Sequence, residues 1–271
     1  MSKCIAFASG KGGVGKSTIT ANLGAVLAQN GARVIIVDAD IGLRSQDALL
    51  SLENRVVYDL IDLANDECTL DQAILASDSI PSLHLLPASQ FDRAKALDPK
   101  QFRKILSSLG SDYDYVFVDC PAGIERGLRN VLNAGVDETV LVVTPDDIAL
   151  RSAGRAAQIM DAKNASRPSV IVNRLDRDLV RSGEMMSPQT VSQVMDLPLL
   201  GVIPEDPVVY RSLLKHELLI RFDCEARNAI FRIASRIRGR SVHIPEYTGR
   251  SRGFRSFFRK QLKEVSPIDD Y

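Results

Sequence analysis

The chain predicts an α/β fold, a mainly parallel, twisted β-sheet flanked by helices on both faces and followed by a C-terminal amphipathic helix. Three observations predict it. Apolar runs rich in Val and Ile recur as CIAFA (4–8), RVIIVD (33–38), LHLLP (83–87), YVFVD (115–119), TVLVV (139–143), SVIVN (169–173) and LLGVIP (199–204). Several are apolar at nearly every position, the pattern of strands covered on both faces. Helical stretches separate them, and strand–helix alternation favours parallel pairing through crossovers.

The helical stretches fall at Thr18–Gln29, closed by Asn30-Gly31, and at Lys100–Leu109, Ser152–Ala162, Gln189–Met195 and Ala226–Ile237. The last core element ends near Arg238. Residues 1–240 therefore read as one domain, 241–249 as a linker, 250–265 as the amphipathic helix and 266–271 as a tail.

Composition narrows the function classes. Of 271 residues, 45% are hydrophobic and 25% charged, the balance of a globular protein. Lys plus Arg equals Asp plus Glu at 34 each, so net charge gives no reason to expect a nucleic-acid partner. Four scattered cysteines and three scattered histidines argue against a disulfide framework or a zinc site. The start MSKCIAFASG lacks a signal-peptide pattern and no run has the length of a membrane span, so the expected location is cytoplasmic.

SGKGGVGKST (9–18) directly follows a strand and opens a helix, and its Gly10, Gly15, Lys16 and Ser17 fit G-x-x-x-x-G-K-[ST], a P-loop. Such glycines let backbone N–H groups converge on phosphates, and the helix N-terminus adds partial positive charge. Residues Gly10, Lys11, Gly12, Gly13, Val14, Gly15, Lys16, Ser17 and Thr18 are thus the expected nucleotide cradle of a P-loop NTPase. Lys16 would reach the β and γ phosphates, and the Ser17 hydroxyl would take a Mg²⁺ position. VDADIGLRSQD (37–47) ends a strand in two acids: Asp38 as a metal residue acting through water, and Asp40 either orienting the attacking water or capping a helix. In YVFVDCPAGI (115–124), an apolar strand delivers Asp119 to the Mg²⁺ shell, with a turn at Pro121 and Gly123. Cys120 inside it reads as a packing residue, with no histidine nearby in sequence. IVNRL (171–175) and IPEDP (203–207) place polar groups at later strand ends, where α/β sheets bind ligands.

KGGVGKS resembles the deviant Walker A motif of the MinD/ParA ATPases. IGLR, RVVYD (55–59), LPASQ (86–90), VDCPAGIE (118–125) and GVIPED (201–206) narrow the resemblance to the MinD branch over nearly the whole chain. The resemblance implies ATP and Mg²⁺ as cofactors, with Lys11 crossing to the partner's nucleotide in an ATP-bound homodimer, alongside Lys16 and Asp40 in catalysis. It implies Asn173, Pro204 and Asp206 as residues around the base, Asn173 otherwise being a plain turn residue. It further implies a role in placing the division septum with a MinC-type inhibitor and a MinE-type activator. One departure bears on those partners: where the branch carries a stretch resembling R-D-S-D-R, this chain reads RSAGR (151–155), so Ser152 and Gly154 replace two carboxylates. The alternatives are an FlhG-like ATPase of flagellar number and a ParA-like, ATP-gated DNA-binding partition ATPase.

The tail RSRGFRSFFRKQLKEV (250–265) concentrates three of the chain's nine Phe within five residues. As a helix, it places Phe254, Phe257, Phe258, Leu262 and Val265 on one face, with Arg255, Arg259, Lys260 and Lys263 flanking or opposing it. This is the pattern of a basic helix lying in a membrane interface against anionic lipids, and proteins of the MinD branch end in a similar helix. Packing on the protein itself, a partner's groove or DNA are the other readings. Gross attraction of about 10–15 kcal/mol is offset by ordering a dozen residues at ~1–2 kcal/mol each. One tail is therefore marginal, while two on a dimer gain about 10²–10⁴ in avidity.

Overall fold

In the computed structural model, which describes residues 2–90, 97–123, 126–162 and 168–247, the apolar runs form the expected sheet. The strands are β1 (Lys3–Ala8), β2 (Val34–Asp38), β3 (Leu75–Ala76), β4 (Leu83–Leu86), β5 (Tyr115–Asp119), β6 (Glu138–Val143), β7 (Ser169–Leu175) and β8 (Leu199–Pro204). The sheet order is β3-β4-β2-β5-β1-β6-β7-β8. Every pair is parallel except β3–β4. The antiparallel β3 is absent from the sequence reading, because two residues carry no periodicity to detect.

The helices are α1 (Lys16–Gln29), α2 (Gln46–Leu49), α3 (Leu60–Ala64), α4 (Leu70–Ala73), α5 (Pro99–Asp112), α6 (Arg126–Asn133), α7 (Asp147–Ala162), α8 (Arg177–Ser182), α9 (Pro188–Met195), α10 (Pro207–Leu214) and α11 (Glu225–Ile237). Two cores sandwich the sheet. Residues of α1 and α11 fill one, and residues of α5, α6, α7 and α9 fill the other. Strand β1 divides its side chains accordingly: Ile5 and Phe7 enter the first core, Ala6 and Ala8 the second. Phe7 meets Phe117 of β5 edge to face at 4.9 Å, a geometry the ring quadrupoles favour.

Because β1 lies inside the sheet, its carboxyl end opens beside those of β2, β5, β6, β7 and β8. All the strand-end motifs singled out above therefore converge on one edge of the sheet, the usual ligand edge of open α/β folds.

The segment expected as a linker is held against the fold as far as it is described. The Arg236 guanidinium donates to the carbonyls of Val242 (2.9 Å), His243 (2.7 Å) and Leu200 (3.0 Å). Tyr247 is buried in the core of the α5–α9 face, and Arg177 lies 5.4 Å from its ring centre. Proline, glycine and polar residues gave this stretch a linker composition, and the anchoring arginine lies in α11, where its reach was not legible. Residues 248–249, the amphipathic helix 250–265 with Phe254, Arg255, Phe257, Phe258, Arg259, Lys260 and Leu262, and the tail 266–271 lie outside the described residues, as do Ile124 and Glu125.

Removing the Tyr247 ring leaves a cavity in a packed layer, which typically costs ~3–5 kcal/mol. Tyr247→Ala should therefore lower the urea-unfolding free energy by roughly 3 kcal/mol. A loss below about 1 kcal/mol would show that the segment does not brace the core.

Candidate nucleotide-binding site

The loop after β1 turns on two demands that only glycine meets. Gly15 adopts φ +93°, and Gly10 lies so close to α7 that a Cβ there would stand 2.3 Å from the Ser152 carbonyl carbon. This arch turns the chain into α1 and buries Lys16, which is 5% exposed.

Lys16 Nζ pairs with Asp119 Oδ1 at 2.5 Å and lies 3.4 Å from Ser17 Oγ. Asp119 ends β5 and is the register partner of Asp38, which ends β2. Partners across a parallel pair project to the same side, so both carboxylates enter the site, and both are fully buried. The DIGLRSQD loop then folds back over Asp38. Backbone N–H groups of Ser45 and Gln46 donate to its Oδ2, and that of Asp40 to its Oδ1, all at 3.0 Å.

Burial, reinforced by the Asp119 charge, pushes the Asp38 carboxyl up to about 7 against the pull of its N–H donors and Lys16. Burial also raises half-buried Asp40, with Lys16 opposing. For Lys16, burial disfavours the ammonium, but the Asp119 carboxylate more than offsets it and the pKa stands above the ordinary value. Cys120 is fully buried, and burial raises its thiol pKa, as suits a packing residue.

The remaining sequence candidates occupy two neighbouring recesses. Gly15, Thr18, Asn173, Pro204 and Asp206 help line a pocket of about 310 Å³, within the size range of ligand sites. Asn173 is brought to it by an irregularity in the β7–β8 register, next to Arg174 at φ +55°. Its Nδ2 donates to the Val14 carbonyl at 2.8 Å, tying β7 to the loop. Asp206 also braces the scaffold, since its carboxylate accepts from Val208 N (3.0 Å) and Ala226 N (3.2 Å), capping α10 and binding the start of α11. Lys11, Gly12, Gly13 and Val14 line a second recess of about 400 Å³ with Thr144, Pro145, Asp146, Arg174 and Met185. There Lys11 Nζ pairs with Asp146 Oδ1 of its own chain at 3.1 Å, both side chains part-exposed.

Three residues of this constellation escaped the sequence reading. Gln46, Asp146 and Arg174 are ordinary polar residues in loops or at element ends, and only the fold brings them to the loop. Asp146 had one legible sign, its place just past β6 at the same sheet edge.

Comparison with known proteins gives a consistent picture. Residues 2–169 match the model of the AAA_31 family, described as an AAA domain. The septum site-determining protein MinD of Helicobacter pylori is 42% identical over 262 residues, spanning 94% of this chain and 97% of its own length. The fold superposes on the MinD of an Aquifex aeolicus MinC:MinD cell division complex with a TM-score of 0.84 at 34% identity, covering 92% of this chain and all of that one. It also superposes on the MinD of Pyrococcus horikoshii complexed with Mg-ADP, with a TM-score of 0.77 at 29% identity, covering 88% and 96%.

The raised Asp38 pKa makes metal-free stability pH-dependent. Between its unfolded value of ~4 and about 7, the folded state binds the extra proton, so this contribution to stability is full below the window and lost as pH rises through it. The Tm of wild type minus that of Asp38→Asn should therefore fall from pH 4 to 7, wild type losing ground to the amide, and level off above it. Any hydrogen bonds the amide cannot make add only a pH-independent offset. A difference that does not change with pH would place the proton elsewhere.

Proposed function

The chain belongs to the MinD family of septum site-determining ATPases, and from that premise we propose an ATP-driven switch that dimerises, binds membrane and helps to place the division septum. The observation that carries this reading is the meeting of a phosphate-binding loop, a buried lysine and two strand-end carboxylates at the carboxyl end of the sheet, with Gly15 and Thr18 of the same loop lining the 310 Å³ pocket.

In this reading the loop from Gly10 to Thr18 cradles the phosphates with its backbone N–H groups, and Lys16 moves from Asp119 to the β and γ phosphates. Asn173, Pro204 and Asp206 bound the base; with its nitrogen committed to Val14, the Asn173 amide offers an acceptor for an exocyclic amino group. The donor set suits Mg²⁺: Ser17 supplies a hydroxyl, Asp38 and Asp119 supply carboxylates, and Mg²⁺ characteristically takes one or two carboxylates plus phosphate and water rather than a full protein cage. When bound, the ion supplies charge neutralisation at the β and γ oxygens. Half-buried Asp40 orients the attacking water.

Lys11 acts across the dimer, on the partner's nucleotide. Its pairing with Asp146 supports a switch because it is cheap to break: exposed ion pairs contribute ~0–1 kcal/mol. A phosphate in the partner subunit can therefore outcompete Asp146 for the ammonium. Dimerisation brings two basic amphipathic helices (250–265), attached to the ATPase domain 1–240, to an anionic membrane face together, and hydrolysis releases them. A MinC-type inhibitor docks on the ATP-bound dimer and a MinE-type activator stimulates turnover. The RSAGR stretch changes the charge of the surface offered to both. Attachment in this scheme is peripheral, through the two amphipathic helices; among the described residues no helix is long and apolar enough to cross a membrane.

Co-sedimentation with anionic liposomes tests the reading. The full chain should sediment with ATP and not with ADP, a chain ending at Gly249 should stay in solution with either, and Lys11→Ala should retain ADP binding while losing ATP-dependent sedimentation. Nucleotide-independent sedimentation, or retention on DNA in place of liposomes, would sink the cycle and favour a partition-type ATPase.

A further inference from the structure

Gln46 is buried at 0% exposure beside the two strand-end carboxylates. Its Nε2 donates to Asp119 Oδ2 at 2.7 Å and to the Ser17 carbonyl at 3.1 Å. Both partners are acceptors, so the assignment of the amide is fixed: the nitrogen serves both and the oxygen serves neither. That oxygen, Oε1, is buried and has no hydrogen-bond partner. A buried amide carbonyl left unmatched is costly, and apolar side chains of similar size are available to fill such a volume.

The surroundings indicate what the oxygen awaits. Gln46 contacts two of the three residues suited to hold Mg²⁺, Ser17 through its backbone carbonyl and Asp119 through its carboxylate, while its own backbone N–H holds the third, Asp38. One residue thus touches the P-loop, the β2 acid and the β5 acid. Mg²⁺ in nucleotide sites keeps several waters, and each such water needs acceptors for its protons.

We propose that Gln46 is a positioning residue of the metal site, its Nε2 fixing Asp119 and its Oε1 accepting a hydrogen bond from a water bound to the metal. The inference rests on the reading of this site as a Mg²⁺-nucleotide site and adds to it a residue that aims the metal's outer shell. Outer-shell partners of this kind typically change metal affinity 10–100-fold when lost.

The test uses the full chain and three readouts: Mn²⁺ affinity with ADP present by electron paramagnetic resonance, fluorescent ADP affinity in EDTA, and melting temperature with and without Mg²⁺. Gln46→Leu should weaken Mn²⁺ binding about tenfold while ADP affinity in EDTA stays within about twofold of wild type. Gln46→Glu adds a third carboxylate, so it should melt lower than wild type without metal and gain more on adding Mg²⁺ and ADP. If Gln46→Leu binds Mn²⁺ as tightly as wild type, or loses metal-free ADP binding to the same degree, the amide is only a brace and the proposal fails. Should Gln46→Leu not fold, Gln46→Glu decides alone: a metal-induced gain no larger than wild type's overturns it. Wild type that binds no ADP would instead overturn the nucleotide reading, and this proposal with it.

Discussion

Everything at this sheet edge is arranged around a shortage of positive charge. Asp38 and Asp119 end adjacent parallel strands in register, both out of contact with solvent, and a single buried lysine stands with them. Two like charges about 5 Å apart repel by ~3 kcal/mol at an effective dielectric near 20. The molecule relieves this locally in three ways: Lys16 takes one oxygen of Asp119, the Gln46 amide takes the other, and three backbone N–H groups converge on Asp38. Burial, together with the repulsion that remains, raises the Asp38 pKa. A buried ion pair of this kind is weak support for stability, since desolvation consumes most of its Coulombic gain. It is better understood as a loaded state, in which a cation entering beside Asp38 and Asp119 and an anion entering beside Lys16 each relieve a cost already present.

The same economy governs the rim. The Lys11–Asp146 pair lies part-exposed, where solvent screens it, while Lys16–Asp119 lies buried. One lysine is therefore held loosely and can change partners, and the other is held firmly until something charged replaces its partner. The difference in burial matches the different places the two lysines hold in the motif.

Much of the fold was legible because fully buried strands must be apolar at every position, and VIIVD, YVFVD and LLGVIP announced themselves that way. The loop was legible because phosphate chemistry demands its glycines. Illegibility had physical causes as well. Helices α2, α3 and α4 are only four or five residues long, little more than one turn, and so show no repeat, although the reciprocal Asp59–Asp62 cap of α3 stood in the sequence. Asp206 was read as a base contact, yet Asp-Pro is also a capping signal, and its carboxylate holds the first turn of α10 while lining the pocket. Gln46 carried no signal, since its importance depends on a loop folding back seven residues to meet Asp38 and on a strand 73 residues further along.

The contact between Gly10 and Ser152 has a mechanical consequence. Where side chains separate two segments, they act as a cushion, changing rotamer to absorb a displacement before it travels. Here the loop's α-carbon bears directly on the backbone of α7, with no room even for a methyl group. A packed interior is nearly incompressible, so motion of the loop toward α7 by a few tenths of an ångström must be taken up by the helix as a rigid rod. The rod carries RSAGR at the point of contact, and its far end lies more than a dozen residues from its first turn. The contact thus couples the loop to the stretch of α7 that carries Arg151 and Arg155, both exposed.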